Sequence, residues 1–259
     1  LKLDADPEKL EINQNLIEEA ARGKIKAVIC RPMIDQCASI ENPYQDCHSL
    51  IQMIQDKFPN RFSIGILVHI EGHPSTLQEV GDHQLTPDEK GRTTRLKDGV
   101  LHVCTDDVFS KQIYNLVDIE KAGADFLMSQ SFFDVGTFLR FFFAARRAGI
   151  NLPIIASLMP LQSFETFQEF TRENKTRIPP PIIASVYKYQ TDKNSWEQYR
   201  EGLLRSTCKA LIIRGVTHFH FNVTVEFLPF LHTTKEFLKG WLKSPHVQDP
   251  SPSPVAAPS

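Results

Sequence analysis

The stretch GADFLMSQSFFDVGTFLRFFFAARRAGINLPIIASLMP, residues 123–160, decides the fold. It opens with "ADFLMSQ", a short apolar run that ends on the polar Gln130. A phenylalanine-rich segment follows, which Asp134 can cap and Gly149 can close, so a helix is expected to about Ala148. "LPIIASLM" is a second apolar run. Neither run alternates polar and apolar residues, so both read as strands buried on two faces. A helix between such strands is the crossover of a parallel sheet. Phe138, Leu139 and Phe142 recur at helical spacing and read as core.

Working outward, the same alternation fills the chain. "DPEKLEINQNLIEEAARG" has Asp6 at the capping position, Pro7 at the first helical position and Gly23 at the close. Further helices are expected around Tyr44–Lys57, about Asp107–Ala122, in "SFETFQEFTREN", at about Ser195–Arg214, and in a last stretch to about Leu242. "IPPPI" reads as a rigid extended turn. Six strands are expected, at about 1–5, 25–31, 62–69, 124–130, 153–159 and 216–222. The sequence pattern fits either a doubly wound sheet or most of a (β/α)8 barrel. Residues 71–105 form a long polar loop without clear periodicity, which reads as functional, as a docking insertion, or as mobile.

Composition narrows the function classes. The chain has 259 residues, 41% of them hydrophobic and 23% charged, with a formal net charge of -2. That is one ordinary globular domain, expected over 1–243. Without a basic excess, a nucleic-acid partner is not expected. No run of about 18 apolar residues is present, so no membrane span is expected. Cys30, Cys37, Cys47, Cys104 and Cys208 form no C-x-x-C pair and no zinc spacing, which favours free thiols in a reducing compartment. Residues 244–259, rich in Pro, Ser and Ala, read as a disordered tail. The chain opens at Leu1 rather than Met, which leads us to expect further sequence upstream.

No glycine-rich dinucleotide or P-loop motif follows any strand. Ligands of parallel α/β folds sit at the carboxyl ends of the strands. Those ends carry Asp4, Arg31, His69, Gln130 and Asn222, and a polar residue there must be hydrated, hydrogen-bonded or bound to a ligand. "EGHPS" places His73 in the loop just past a strand. "HFHF" puts His218 and His220 on one face; without carboxylate or cysteine partners they read as core histidines rather than metal ligands.

The segments "AGADFLMSQSFFDVGTFLRFFFAARRAGINLPIIASLMPLQSF", "SIGILVHIEGHP", "IKAVICRP", "RIP" and "GVTHFHF" together resemble the methylenetetrahydrofolate reductase family, in collinear order over roughly residues 1–242. The resemblance implies a flavin-dependent (β/α)8 barrel that reduces methylenetetrahydrofolate with a nicotinamide cofactor, FAD and NAD(P)H being the family's cofactors. It implies that the six expected strands are the third to eighth of that barrel. The first two, with the glutamate taken as general acid, would lie upstream of Leu1. By resemblance Gln130 is the folate-contacting glutamine and Phe164 the aromatic near substrate and nicotinamide. His73 lies beside the flavin, Arg31 ends the family's fourth strand, and His69 stands where the family has a flavin-loop tyrosine.

Other matched positions depart from the family. Pro32-Met33 replaces a Gly-Asp pair whose aspartate tunes the flavin. Asp118 and Ile119 stand where a basic pair approaches the cofactor phosphates. "NVTVE", Asn222 to Glu226, puts an acid where the family has a substrate-side arginine. Losing one charge-assisted hydrogen bond costs about 1.5–3 kcal/mol before repulsion is added. The expectation is a divergent, degenerate member without flavin, kept as an accessory subunit of a larger protein complex. The alternatives are an active FAD-dependent reductase and a barrel module for another small ligand. Folate is a possible ligand under each. A mitochondrial location is favoured over a cytoplasmic one.

Overall fold

A computed structural model describes residues 1–32, 42–95, 100–173 and 176–223, with 234, 236, 239 and 240 of a C-terminal helical stretch. Met33, Cys37, Glu226 and the tail at 244–259 lie outside the described residues. In chain order the elements begin with β1 (Lys2–Asp4), α1 (Leu10–Arg22), β2 (Ala27–Arg31), α2 (Gln45–Lys57) and β3 (Ser63–Val68). Next come β4 (Gln78–Glu79), α3 (Pro87–Arg92), β5 (Thr94–Arg95), β6 (Leu101–Val103) and α4 (Asp106–Lys121). The chain continues through β7 (Phe126–Ser129), α5 (Val135–Arg147), β8 (Ile154–Leu158), α6 (Phe164–Glu173), α7 (Pro180–Tyr189), α8 (Lys193–Ile213) and β9 (His218–Phe221).

The six apolar runs all become strands of one parallel sheet, in the order β1-β2-β3-β7-β8-β9. A doubly wound sheet reverses its order at a switch point. This order never reverses, which is the winding of a (β/α)8 barrel, with every carboxyl end at one mouth. Among the described residues the sheet does not close: β1 and β9 each pair on one side only. The winding resolves the alternative that the sequence pattern leaves open.

The core lies between this sheet and its helices. Ile66, Leu127 and Ala156 from neighbouring strands are wholly buried, as are Phe138 and Phe141 of α5. Phe132 stacks on Phe138 with ring centroids 4.7 Å apart, and Phe138 on Phe142 at 6.3 Å. Burying one such ring stabilises the fold by roughly 1.5–3 kcal/mol. Gly65 faces Phe126 in register, and a Cβ at Gly65 would lie 2.2 Å from that ring. A second apolar cluster, around Met159, Leu161, Phe167, Ile182 and Trp196, holds α6, α7 and α8 together.

Three expectations need correction. Residues 71–105 are not one long loop: β4, β6 and β5 pair as a small antiparallel sheet, and α3 starts at a capping box made by Thr86 and Glu89. Glu89 is buried there and accepts from Thr86 N, Asp106 N and His83 Nε2. Strands of two or three residues are too short to show a period. "IPPPI" is not a turn but the entry to α7, with Pro179 at the cap and Pro180 and Pro181 in the first turn, where a missing N–H costs nothing. His218 is exposed rather than core; it sits on β9, an edge strand among the described residues, and its Nδ1 meets Thr217 Oγ1 at 3.0 Å. At α1, a 3-10 turn at Pro7–Lys9 separates the Asp6–Pro7 start from the helix proper.

Candidate functional site at the carboxyl ends of the strands

β3 ends at Val68, and the next five residues turn inward. His69, Glu71 and His73 are all buried. Gly72 has φ 102°, and a Cβ there would come within 2.4 Å of Cys104, so the turn needs a glycine both for its conformation and for its packing. The His69 and His73 rings meet edge to face at 4.9 Å. His73 is held in place by its backbone N–H, which donates to Gln112 Oε1 at 3.0 Å, and by Nδ1 on Ser75 Oγ at 2.7 Å. Burial, then the charges of His73 and Arg31, push His69 down to about 3, so it is neutral at pH 7. Tyr44, fully buried at the start of α2, packs its ring against His73 at 6.4 Å.

Gln130 extends the ladder from β7, its N–H donating to Val68 O at 2.9 Å. Its carboxamide bonds the Glu71 carboxyl. The other Glu71 oxygen accepts from the backbone N–H of Arg177 at 3.1 Å. The Arg177 guanidinium in turn donates from Nε to Asp134 Oδ2 at 2.8 Å, and from Nη1 to Thr93 O and Oγ1. Asp134 also caps α5 through Thr137 N. One polar cluster thus joins the β3 turn, the β7 end, the α5 cap, the 71–105 insertion and the approach to α7. Burial pushes the Glu71 carboxyl up to about 8, against the hydrogen bond from Arg177. It therefore holds a proton at neutral pH.

A second polar layer crosses the last strands. Ser129 Oγ accepts from Ser157 N at 3.0 Å, and Ser157 Oγ meets His220 Nδ1 at 3.0 Å. Burial lowers the His220 pKa, and the Lys2 ammonium on β1 adds to that effect, so the first and last strands are within electrostatic reach of each other.

Of the residues singled out by sequence, His69 and His73 meet ring to ring in the β3 turn, and Gln130 bonds Glu71 of the same turn. Arg31 does not join them. Its side chain is 47% exposed and turns to Asp4, with Nε donating at 2.6 Å, because the neighbouring strand end offers the nearer carboxylate. Burial alone would raise the Asp4 carboxyl, but the hydrogen bonds from Lys9 and Arg31 hold it below the usual range. Phe164 starts α6 in the second apolar cluster, its ring 5.4 Å from Tyr187. Pro32 is buried. Asp118 and Ile119 lie in the last turns of α4, on a groove of about 680 Å³ between α2 and α4 that Gln45, His48, Gln52 and Asn115 also line. Asp118 is exposed and pairs with Lys121 at 3.0 Å, while Ile119 turns its side chain into the core. Among the described residues no group of three or more His, Cys, Asp or Glu could hold a metal. Likewise no helix there is long and apolar enough to cross a membrane.

Glu71 is the residue that sequence reasoning missed. In "EGHPS" it reads as a solvated loop acid. Its partners are 59 and 106 residues away, so no local pattern could reveal its burial.

The parallel, unreversed strand order defines a (β/α)8-type fold, with a buried polar cluster at the carboxyl ends of its strands. The family model for methylenetetrahydrofolate reductase matches residues 6–226, and the chain belongs to that family. Among curated relatives, "Methylenetetrahydrofolate reductase (NADH) 1" of Zea mays is 26% identical over 186 residues, 72% of this chain and 28% of that protein. "Methylenetetrahydrofolate reductase 1" of Schizosaccharomyces pombe is 30% identical over 116 residues, 45% of this chain and 19% of that one. "Probable methylenetetrahydrofolate reductase (NADPH)" of Caenorhabditis elegans is 24% identical over 208 residues, 80% of this chain and 27% of its own. The chain therefore spans about a quarter of the length of these relatives. A solved structure of an uncharacterized Clostridium thermocellum protein that binds two copies of 5-methyl-5,6,7,8-tetrahydrofolic acid aligns with a TM-score of 0.47 and 12% identity, covering 86% of this chain and 68% of that one.

Proposed function

We propose that this chain is a methylenetetrahydrofolate reductase-like protein that has lost flavin binding and catalysis, and that it serves as a structural, accessory subunit of a larger mitochondrial assembly. The observation that carries this reading is the groove between α2 and α4. The family resemblance puts the cations for the cofactor phosphates at Asp118 and Ile119. Here those two positions hold a carboxylate and an apolar side chain, and the one lysine of the lining, Lys121, is already paired with Asp118. A flavin diphosphate would find no unpaired lysine or arginine there for charge-assisted hydrogen bonds, and these residues do not fit it. Arg31, the other matched cation, is taken by Asp4. The mouth around Gln130 is kept, so folate binding without reduction belongs to the proposal.

The test is the protein purified from its native source. A colourless protein that elutes in an assembly well above its own 29.5 kDa is expected. A flavin absorption spectrum would sink the non-catalytic half, and a monomer would sink the assembly half. Fractionation that finds the protein outside mitochondria would remove the location.

One observation favours a second reading, an active reductase. Glu71 carries a proton at neutral pH and touches Gln130, so the mouth has an acid to offer a bound substrate. Methylenetetrahydrofolate-dependent oxidation of NAD(P)H that Glu71→Gln abolishes would establish it.

A further inference from the structure

We propose that a groove on the outer side of α5 docks an extended, acidic segment of a partner protein. This deepens the accessory-subunit reading and rests on it. The groove holds about 510 Å³ and lies between α3, α4, α5 and the end of α8. Its length follows α5 from Gly136 to Arg147, roughly 16 Å at about 1.5 Å per residue. An extended peptide of about five residues, at about 3.3 Å each, matches that length.

The charges along the groove are uneven. At the α3 end they are balanced. Arg140 pairs with Asp88 at 3.3 Å, and Arg92 with Asp106. The Arg140 guanidinium lies directly over Gly91, where a Cβ would come within 2.2 Å of it, so this end is closely fitted. At the other end, Arg147 in the last turn of α5 and Arg214 at the cap of α8 are both exposed. Neither forms an ion pair among the described residues. The lining therefore carries four arginines against two carboxylates. Between the ends the wall is apolar. Leu139 and Ala144 line it, and Phe143 stands 37% exposed. A segment with an apolar side chain for Phe143 and carboxylates for Arg147 and Arg214 complements this surface in both shape and sign.

The probe is a fluorescein-labelled heptapeptide with a leucine and a phenylalanine followed by three glutamates, read by anisotropy at low salt on the full chain. Binding is expected, weakened about tenfold or more when glutamines replace the glutamates. The same loss is expected in Arg147→Glu/Arg214→Glu and in the milder Arg147→Gln/Arg214→Gln. Phe143→Ser is expected to weaken binding several-fold. All three positions are exposed, and circular dichroism checks that each variant is folded. An acidic peptide that does not bind, or that binds both double variants as well as the parent, overturns the proposal. So does Phe143-dependent binding to anionic phospholipid vesicles without peptide binding, which would assign the face to a membrane. The native-source size measurement reads assembly membership separately. A chain found in an assembly but blind to the peptide overturns this site alone.

Discussion

Glu71 and His69 are two residues apart, both are buried, and burial drives both toward the neutral form, with opposite consequences for pH. The Glu71 pKa is raised, so the folded chain keeps its proton after the unfolded chain has lost it. Its contribution is fully present below about pH 4.5 and is lost as the pH climbs to about 8. The His69 pKa is lowered, so its contribution is present above pH 6.5 and is lost as the pH falls toward about 3. Each window has a slope of at most about 1.4 kcal/mol per pH unit. Urea midpoints between pH 3 and 9 check both effects. Relative to Glu71→Gln, the parent loses stability from pH 5 to 8. Relative to His69→Gln, it loses stability from pH 6 down to 3. The Gln130 carboxamide bonds the same carboxyl through Nε2 and so senses its ionisation. A shift of the Gln130 side-chain amide signals in nuclear magnetic resonance, with a midpoint near 8 and absent in Glu71→Gln, is the expected record.

At the scale of elements, the 71–105 insertion depends on very few residues. Thr86 caps α3 through Glu89 N and also donates to Asp106 Oδ2 at the start of α4. Thr86→Ala is expected to cost about 1 kcal/mol or somewhat more. Hydrogen exchange should show faster opening in α3 and β6 while β3 and β7 stay protected. Gly65→Ala acts on the main sheet instead. The added Cβ drives into the Phe126 ring in the paired strand, for an expected loss of about 1–3 kcal/mol in denaturant unfolding. These two elements also mark what the sequence could reveal. Strands such as "FSIGILVHI" and "ADFLMSQ" are legible because double burial forces an unbroken apolar run. The insertion is not legible, because its stability comes from side-chain bonds around Glu89 and Arg92 rather than from a periodic apolar face. The helix after Pro179 was hidden by prolines, which mark a helix start as readily as a turn. At the mouth, position in the chain pointed to Gln130 and His73. The residue that Gln130 bonds, Glu71, was hidden because its partners come from distant segments.

At the scale of the whole molecule, the order of strands brings Gln130 and the buried β3 turn to one end, while two of the departures from the family lie elsewhere. Asp118 and Ile119 are on the α2/α4 groove rather than among the buried residues of the mouth. The two regions can therefore be separated by experiment. Asp118→Lys is expected to raise affinity for added FAD, read by quenching of flavin fluorescence, and to leave the Glu71-linked pH dependence of stability unchanged. No gain in flavin affinity would mean that position 118 is not where the phosphates would lie.

Arg177 gives the molecule a further property. Its backbone and guanidinium tie Glu71, Thr93 and Asp134, residues contributed by the β3 turn, the insertion and the α5 cap. Replacing Arg177 or Asp134 leaves the other without its charged counterpart, so single changes there are costly and concerted ones are cheap. Across a set of relatives, positions 93, 134 and 177 are thus expected to covary. A lineage that loses the insertion would be free to lose the arginine as well.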